Sequence, residues 1–212
     1  MLDSFRLGDI ELRNMPVVWT ETDQVSPAGP NDGLIGTWVF YHLLTTFDYA
    51  GRSLILRRPT PEAAAKVRAD AARAGARPLP LYLGHEHELH SRGSVDGSGA
   101  QVVGLSIGGV GESAAVIPGG TAERLRIRTD RDRPVETFAH SHPTVAYPCY
   151  PKEIRLGGAT AKGSYCMTNP NSRPSRSGFD VLATFFHPFY KPYNVTLDFT
   201  GMNLYIARGK AT

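Results

Sequence analysis

Alternating apolar and polar residues predict a β-strand in the last part of the chain. Val195, Leu197 and Phe199 alternate with Thr196 and Asp198, which is typical of a strand with one buried face. Gly and Pro occur 22 and 16 times, which favours many short strands joined by turns. The chain of 212 residues is long enough for a hydrophobic core in one two-lobed domain or two small ones. We therefore predict an all-β protein.

Three segments of the chain recur in the same order further along it, which indicates an internal repeat. The matched ranges are residues 5–8 with 154–157, residues 34–39 with 181–186, and residues 46–51 with 196–201. Their offset stays between 147 and 150, a drift that one short insertion near Pro188–Pro192 explains. We therefore predict that the chain contains two copies of one structural unit.

Asp48 and Asp198 occupy matched positions, each shortly before a glycine, at Gly51 and Gly201. Paired carboxylates can share a proton in catalysis. An aspartate in this position more often accepts backbone N–H bonds within a turn. We therefore expect both aspartates to stabilise turns.

The clearest helix is predicted from Pro61 to about Ala74, between the two copies. Thr60 suits the N-cap, Pro61 suits the first helical position, and Gly75 suits the end of the helix. Its alanine-rich composition predicts a surface connector without a direct functional role.

The charge and the cysteine content exclude some classes of partner but leave the cellular compartment open. The formal net charge of +3 is too small to indicate a nucleic-acid partner. Arg57 and Arg58 suit a solvated strand edge, where basic side chains discourage pairing with another strand. No apolar run approaches the ~18 residues of a membrane span, and no secretion signal is recognised. Cys149 and Cys166 are expected either as reduced thiols or as one disulfide, so the compartment stays open.

The segment Asn31-Asp32-Gly33-Leu34-Ile35-Gly36-Thr37, followed by Thr46-Phe47-Asp48-Tyr49, resembles the C-terminal half of a retropepsin-like aspartic-peptidase lobe. In that family an apolar-apolar-Gly segment passes beneath the active-site loop, where a small residue permits close backbone approach. Val181-Leu182-Ala183 is the looser second match. The resemblance implies two acid-protease lobes, closed or partly open β-barrels, joined by one helix. The implied boundaries are 1–58 for the C-terminal half of a first lobe, 59–78 for the linker and 79–212 for a second lobe.

The resemblance also locates the active loop of the second lobe. Strands are expected over 79–83, 85–91 and 101–107, with a hairpin turn at 96–99. Ser106 then stands where the family has its catalytic aspartate, Ile107 replaces the Thr or Ser, and Gly108 is kept. Asp96 belongs to the hairpin turn and is not expected to replace the missing carboxylate.

The first copy begins near Leu2-Asp3-Ser4-Phe5. This segment matches a hairpin that comes late in the second lobe, after the active loop. An active loop of the first copy is therefore not found in this sequence. Its strands are expected to have an unpaired edge, which predicts poor solubility or self-association. An in-frame Asp-Thr/Ser-Gly upstream of Met1 would show a fragment of a longer protease.

Histidines offer a competing chemistry. His85 and His87 are predicted on one face of a strand, and His140 and His142 repeat the spacing. Four converging imidazoles would suit zinc or another borderline metal. No zinc-binding helix motif or Cys/His knuckle accompanies them, so half-exposed strand histidines are expected instead.

These features are most consistent with an aspartic-peptidase-like protein that is catalytically inactive as this chain. Such a protein is expected to retain the binding of an extended peptide. One alternative is an active aspartic endopeptidase completed by upstream sequence or a partner chain. The other is a histidine-rich metal-binding β protein. No cofactor, nucleic acid or membrane partner is expected.

Overall fold

The fold comes from a computed structural model that describes residues 1–17, 35–107, 111–139, 142–170 and 179–209. Most described residues with regular structure lie in strands, which confirms the all-β prediction. Two compact units are present, residues 1–36 and residues 37–212. None of the described helices is both long and apolar enough to cross a membrane.

The smaller unit contains a β-hairpin. Strand β1 (Leu2–Leu7) pairs antiparallel with β2 (Ile10–Met15). The connecting turn places Gly8 at a φ of +56°, a conformation that glycine adopts without a steric penalty.

The larger unit contains the remaining strands and helices. The strands are β3 (Leu44–Asp48), β4 (Ser53–Arg57), β5 (Leu79–Pro80), β6 (Tyr82–Leu83), β7 (Leu89–Val95), β8 (Gln101–Leu105), β9 (Ala115–Pro118), β10 (Arg128–Thr129), β11 (Val135–Ala139), β12 (His142–Tyr150), β13 (Glu153–Leu156), β14 (Ala159–Lys162), β15 (Cys166–Asn169), β16 (Thr184–Phe185), β17 (Tyr193–Asp198) and β18 (Asn203–Arg208). The α-helices are α1 (Pro61–Arg73), α2 (Gly119–Arg124) and α3 (His187–Tyr190), and 3-10 helices span Thr37–His42 and His85–His87.

The described strands of this unit form two sheets. The five-stranded sheet has the order β4-β3-β17-β18-β5. The 11-stranded sheet follows the path β10-β12-β15-β9-β16-β8-β7-β13-β14, with β11 on β12 and β6 on β7. Neither path returns to its first strand within the described residues, so no closed barrel is seen there.

The five-stranded sheet joins the two segments that the sequence comparison matched. In the antiparallel pairing of β3 with β17, Thr46 lies opposite Thr196, and Asp48 and Leu44 lie opposite Asn194 and Asp198. Thr46 therefore faces the residue that matches it in the sequence. The pairing has a local twofold relationship centred on these two threonines.

The helix prediction is confirmed, with its last residue one position earlier. Helix α1 spans Pro61–Arg73, and the Thr60 hydroxyl accepts a bond from the Ala63 backbone N–H at 3.2 Å. Gly75 follows with a φ of +74°. Val67 and Ala71 of the helix pack against Leu44 and Tyr205, so the helix covers one face of the five-stranded sheet.

A second hydrophobic cluster covers the other face under β17 and β18. Its buried side chains include Val195, Leu197, Leu204 and Ile206 of the five-stranded sheet. They pack with residues of the 11-stranded sheet such as Val95, Val103, Ile117, Ile154, Leu156 and Phe185. The two sheets of the larger unit therefore share one core, whose burial is the main stabilising contribution.

Candidate functional site

The loop predicted to correspond to an active loop follows β8 and ends at β9. Strand β16 lies between these two strands, parallel to β8 and antiparallel to β9. The Gly104 N–H donates to Ala183 O at 2.9 Å, and the Phe186 N–H donates to Ala114 O at 3.0 Å. The segment 181–186 thus passes beneath the loop, as the sequence resemblance implies.

Small residues permit this close approach. Ala183 is fully buried. On the neighbouring strand, a Cβ atom added to Gly104 would lie 2.8 Å from Thr184 Oγ1, closer than side chains tolerate. The sequence resemblance indicated the small residue at 183, and the structure adds the glycine at 104.

Ser106 lies immediately after β8, at the beginning of the loop. Its backbone N–H donates to Phe185 O at 2.9 Å, which fixes the start of the loop on β16. Among the described residues, no hydrogen bond joins its hydroxyl to a histidine or a carboxylate. Ile107 follows and is half-buried, whereas Gly108 lies outside the described residues. The described part of the loop therefore offers a hydroxyl without an activating base.

Tyr49 reaches this loop from the turn that follows β3. Its hydroxyl donates to Ile107 O at 2.8 Å. The ring stacks on Tyr190 with 5.9 Å between ring centroids, and lies 5.2 Å from the His187 ring. Burial raises the pKa of Tyr49 well above its usual value, so the hydroxyl keeps its proton and remains a donor. Tyr49 belongs to the repeated motif at 46–51, but the sequence pattern alone gives no sign that its hydroxyl reaches this loop.

His187 is the titratable group beside this tyrosine. Burial lowers the pKa of His187, and the neighbouring Lys191 ammonium lowers it further. The imidazole is therefore mainly neutral at neutral pH. No carboxylate of the described residues is hydrogen-bonded to it, so it lacks the orienting acid that a catalytic histidine base commonly uses.

The two matched aspartates stabilise turns, which confirms the prediction for them. Asp48 Oδ1 accepts from the Gly51 N–H at 2.8 Å, and Asp198 Oδ1 accepts from the Gly201 N–H at 2.9 Å. A Cβ atom on either glycine would lie within 2.7 Å of the aspartate carboxylate. Glycine is therefore required at both positions for the turn to form as observed.

Asp96 lies in the hairpin turn between β7 and β8, as predicted. It has a φ of +48°, and Gly97 and Gly99 also have positive φ values. Its Oδ1 accepts from the Glu153 N–H at 3.0 Å, and its own N–H donates to Glu153 O at 2.9 Å. The carboxylate thus connects the turn to β13.

The histidine prediction was wrong for the local structure of the first pair. His85 and His87 lie in a 3-10 helix, not on a strand, because the chain reverses direction between β6 and β7. The Tyr41 hydroxyl and His87 Nδ1 form a 2.8 Å hydrogen bond. His140 lies outside the described residues, and His142 is described only as the first residue of β12. Within the described part of the chain, no three His, Cys, Asp or Glu side chains are grouped to hold a metal ion.

The two cysteines form no disulfide in the structure and lie directly opposite each other on β12 and β15. Both are fully buried. Burial is the main cause that raises the pKa of Cys149 and of Cys166 to about 12. The thiolate is the reactive form, so neither residue has the character of a nucleophile.

No protein-family model and no curated protein matches this chain. The solved structures that are similar to it include the following two. A retropepsin-like aspartic protease from Rickettsia conorii has 11% identity and a TM-score of 0.41, with 63% of this chain and 92% of that chain covered. Basic 7S globulin from soybean has 10% identity and a TM-score of 0.37, with 80% of this chain and 51% of that chain covered. The solved structures to which this mostly β chain is similar thus include a retropepsin-like aspartic protease.

Proposed function

We propose that this chain is an aspartic-peptidase-like protein that does not catalyse proteolysis by itself and binds an extended peptide. The observation that carries the proposal is the position of Ser106 at the end of β8, above the crossing segment 181–186. The sequence resemblance assigns the catalytic aspartate to this position.

The proposed loss of activity follows from the chemistry of the two side chains. Aspartic peptidases activate water between two carboxylates, one ionised and one protonated. A serine hydroxyl stays protonated at neutral pH and in acid, so Ser106 provides neither half of that pair. Asp48 and Asp198 accept backbone N–H bonds within their turns, and Asp96 accepts the N–H of Glu153 in β13, so none of the three is proposed as a substitute.

We also propose that two related lobes make up the chain, with boundaries 1–58, 59–78 and 79–212. Matched residues with the same local geometry support this division. Gly8 and Gly157 have φ values of +56° and +58° in two-residue hairpin turns, and Asp48 and Asp198 form the same turn bond.

One part of the match has a different local structure. Thr37 lies in a 3-10 helix, whereas Thr184, its counterpart at an offset of 147, begins β16. Helix α3 (His187–Tyr190) follows β16. Its first residue, His187, lies 150 positions after Thr37, the first residue of the 3-10 helix. Aligning the starts of these two helices would place the proposed insertion between Ala183 and His187 instead of near Pro188–Pro192.

Peptide binding by this loop requires that the loop keep its shape without a substrate. Tyr49 supports that role because its hydroxyl bonds the Ile107 carbonyl across the shared core. Extended peptides bind such sites through backbone hydrogen bonds, with side-chain pockets adding specificity.

Fluorescence polarisation of a labelled, extended peptide rich in leucine and threonine tests the binding. Tyr49→Phe removes one hydroxyl and releases the loop, so we expect the Kd to rise about three- to tenfold, by the usual net value of one hydrogen bond. Tyr82→Phe, on an exposed tyrosine of β6, is the matched control and should leave the Kd unchanged. No binding to the wild-type protein, or equal binding by both variants, would contradict a role of this loop.

A further inference from the structure

The five-stranded sheet ends differently on its two sides. On one side β5 pairs with β18, where the Leu81 N–H donates to Met202 O at 3.0 Å and Leu79 lies opposite Leu204. On the other side β4 pairs with β3 alone, among the strands of the described residues. The outer edge of β4 corresponds in the local twofold relationship to the edge that β5 covers.

Matched leucines on these two strands differ strongly in exposure. Leu204 of β18 is fully buried, whereas 44% of Leu54 of β4 is exposed. Both residues lie on the same face of the sheet, since Leu204 is opposite Leu197 and Leu54 is opposite Phe47. The β4 side therefore exposes an apolar side chain where the β18 side buries one.

The backbone of β4 directs hydrogen-bonding groups away from β3 at the same edge, where the described residues contain no further strand. In an antiparallel ladder, alternate residues direct N–H and C=O to opposite neighbours. The bond to Met202 O shows that Met202, and hence Leu204, directs these groups outward. The pairing of β4 with β3 has the same register as that of β18 with β17, since Ser53 lies opposite Asp48 as Asn203 lies opposite Asp198. The backbone N–H and C=O groups of Leu54 and Leu56 therefore also point away from the neighbouring strand.

Basic side chains flank this edge. Arg52 and Arg58 are exposed at the two ends of β4, and Arg57 is half-buried with Nη1 3.4 Å from Thr46 Oγ1. A second copy of the chain would bring like charges together across the edge, and basic residues on an edge strand oppose such pairing. A strand with acidic residues at its ends is electrostatically complementary instead.

We propose that the outer edge of β4 binds an extended segment of another protein as an added antiparallel strand. That segment has apolar residues opposite Leu54 and Leu56 and acidic residues near Arg52 and Arg58. Main-chain bonds to Leu54 and Leu56 provide the affinity, and the arginines select the partner by charge. This surface is on the five-stranded sheet, and the inference does not depend on peptide binding at the Ser106 loop.

The test uses the full chain and the peptide acetyl-EDLTLDE-amide, with acetyl-KRLTLRK-amide as its charge-reversed control. Calorimetry gives the Kd, and two-dimensional amide NMR shows whether the N–H groups of Leu54 and Leu56 shift. Leu54→Pro removes one outward N–H but keeps the pairing with β3, because proline is tolerated on an edge strand when its missing N–H faces solvent. Leu54→Thr keeps that N–H and is the matched control. The melting temperature of each variant confirms that it is folded.

We expect the acidic peptide to bind and the basic peptide to bind at least about tenfold more weakly. Leu54→Pro should weaken binding of the acidic peptide by about tenfold or more, and Leu54→Thr by less. The double variant Arg52→Glu/Arg58→Glu gives a second check on a folded protein, because it changes only exposed side chains. It should reverse the preference between the peptides.

Four results would overturn the proposal. The first is failure of the wild type to bind the acidic peptide, and the second is equal affinity of Leu54→Pro and the wild type for it. The third is equal affinity of the wild type for both peptides. The fourth is a wild-type dimer in sedimentation that Leu54→Pro converts to a monomer, which would identify a second copy as the occupant.

Discussion

Thr46 Oγ1 and Thr196 Oγ1 lie 2.8 Å apart in a buried hydrogen bond at the centre of the five-stranded sheet. The two threonines occupy matched positions of the two segments, and each lies opposite the other in the β3–β17 pairing. The bond therefore lies on the local twofold axis that relates β3–β4 to β17–β18.

This bond predicts non-additive effects of substitution. Thr46→Val leaves the Thr196 hydroxyl buried and unpaired, with an expected cost of about 1–3 kcal/mol in the free energy of unfolding. Thr196→Val should cost less, because Thr46 still accepts the bond from Arg57. The double variant removes both hydroxyls, so it should be about 1 kcal/mol more stable than the sum of the single effects predicts. Urea unfolding of the four proteins measures this coupling. Strictly additive values would show that the hydroxyls do not interact.

The hydrogen bonds that Asp48 and Asp198 accept in their turns predict that replacing either aspartate lowers the stability of the fold by a similar amount. Asp48→Ala and Asp198→Ala should each lower the free energy of unfolding by about 1–3 kcal/mol, because each leaves a glycine N–H without its acceptor. Asparagine keeps the Oδ1 acceptor, so Asp48→Asn and Asp198→Asn should cost less. Thermal unfolding compares these variants with Asp132→Ala, a change at an exposed aspartate. Equal losses for alanine and asparagine would remove the turn bond as the explanation.

The cysteine pair predicts protection from thiol reagents. With the pKa of both thiols raised to about 12, roughly one thiol in ten thousand is ionised at pH 8, and both side chains are fully buried. A chromogenic disulfide reagent should therefore label neither cysteine in the folded protein and both after unfolding in urea. Rapid labelling without urea would show that the strands β12 and β15 open readily.

His90 predicts a loss of stability in acid. It is 2% exposed, its Nδ1 lies 3.2 Å from Glu88 O, and its ring contacts Phe179 edge-on. Burial lowers the pKa of His90 below its ordinary value of 6.5, despite the opposing effect of Glu88. The unfolded chain thus binds a proton that the folded protein does not, and stability falls as the pH decreases below 6.5.

The slope from one such proton is at most about 1.4 kcal/mol per pH unit. His90→Gln should flatten the dependence of the urea midpoint on pH, although His187, whose pKa is also lowered, retains part of it. His42→Gln, at an exposed histidine, is the control for replacing an imidazole with an amide elsewhere in the chain. A His90→Gln protein with an unchanged slope would assign the acid sensitivity to other groups.

Local features of the fold could be predicted from the sequence because their causes are local. The cap at Thr60, the turn at Asp96 and the bonds of Asp48 to its own turn depend on residues a few positions apart or on turn chemistry. The 3-10 helix at His85 was missed because an alternating pattern this short does not distinguish a strand from a turn.

Long-range contacts could not be read in the same way. The pairing of β3 with β17 joins residues 150 positions apart, as in the bond between Thr46 and Thr196. The bond from Tyr49 to the Ile107 carbonyl likewise depends on how the two sheets pack over their shared core. The internal match marked these segments as equivalent but contained no information that they face each other.

Cleavage of an acid-denatured protein substrate tests the proposed absence of catalysis most directly. The purified chain is incubated with the substrate from about pH 3 to about pH 7, a range in which a carboxylate pair would be active. Ser106→Ala and an inhibitor of aspartic peptidases such as pepstatin are the controls. We expect no cleavage above background and no difference between the wild type and Ser106→Ala. Cleavage by the wild type that pepstatin suppresses would contradict this expectation, because it would show that carboxylates of this chain form an active pair.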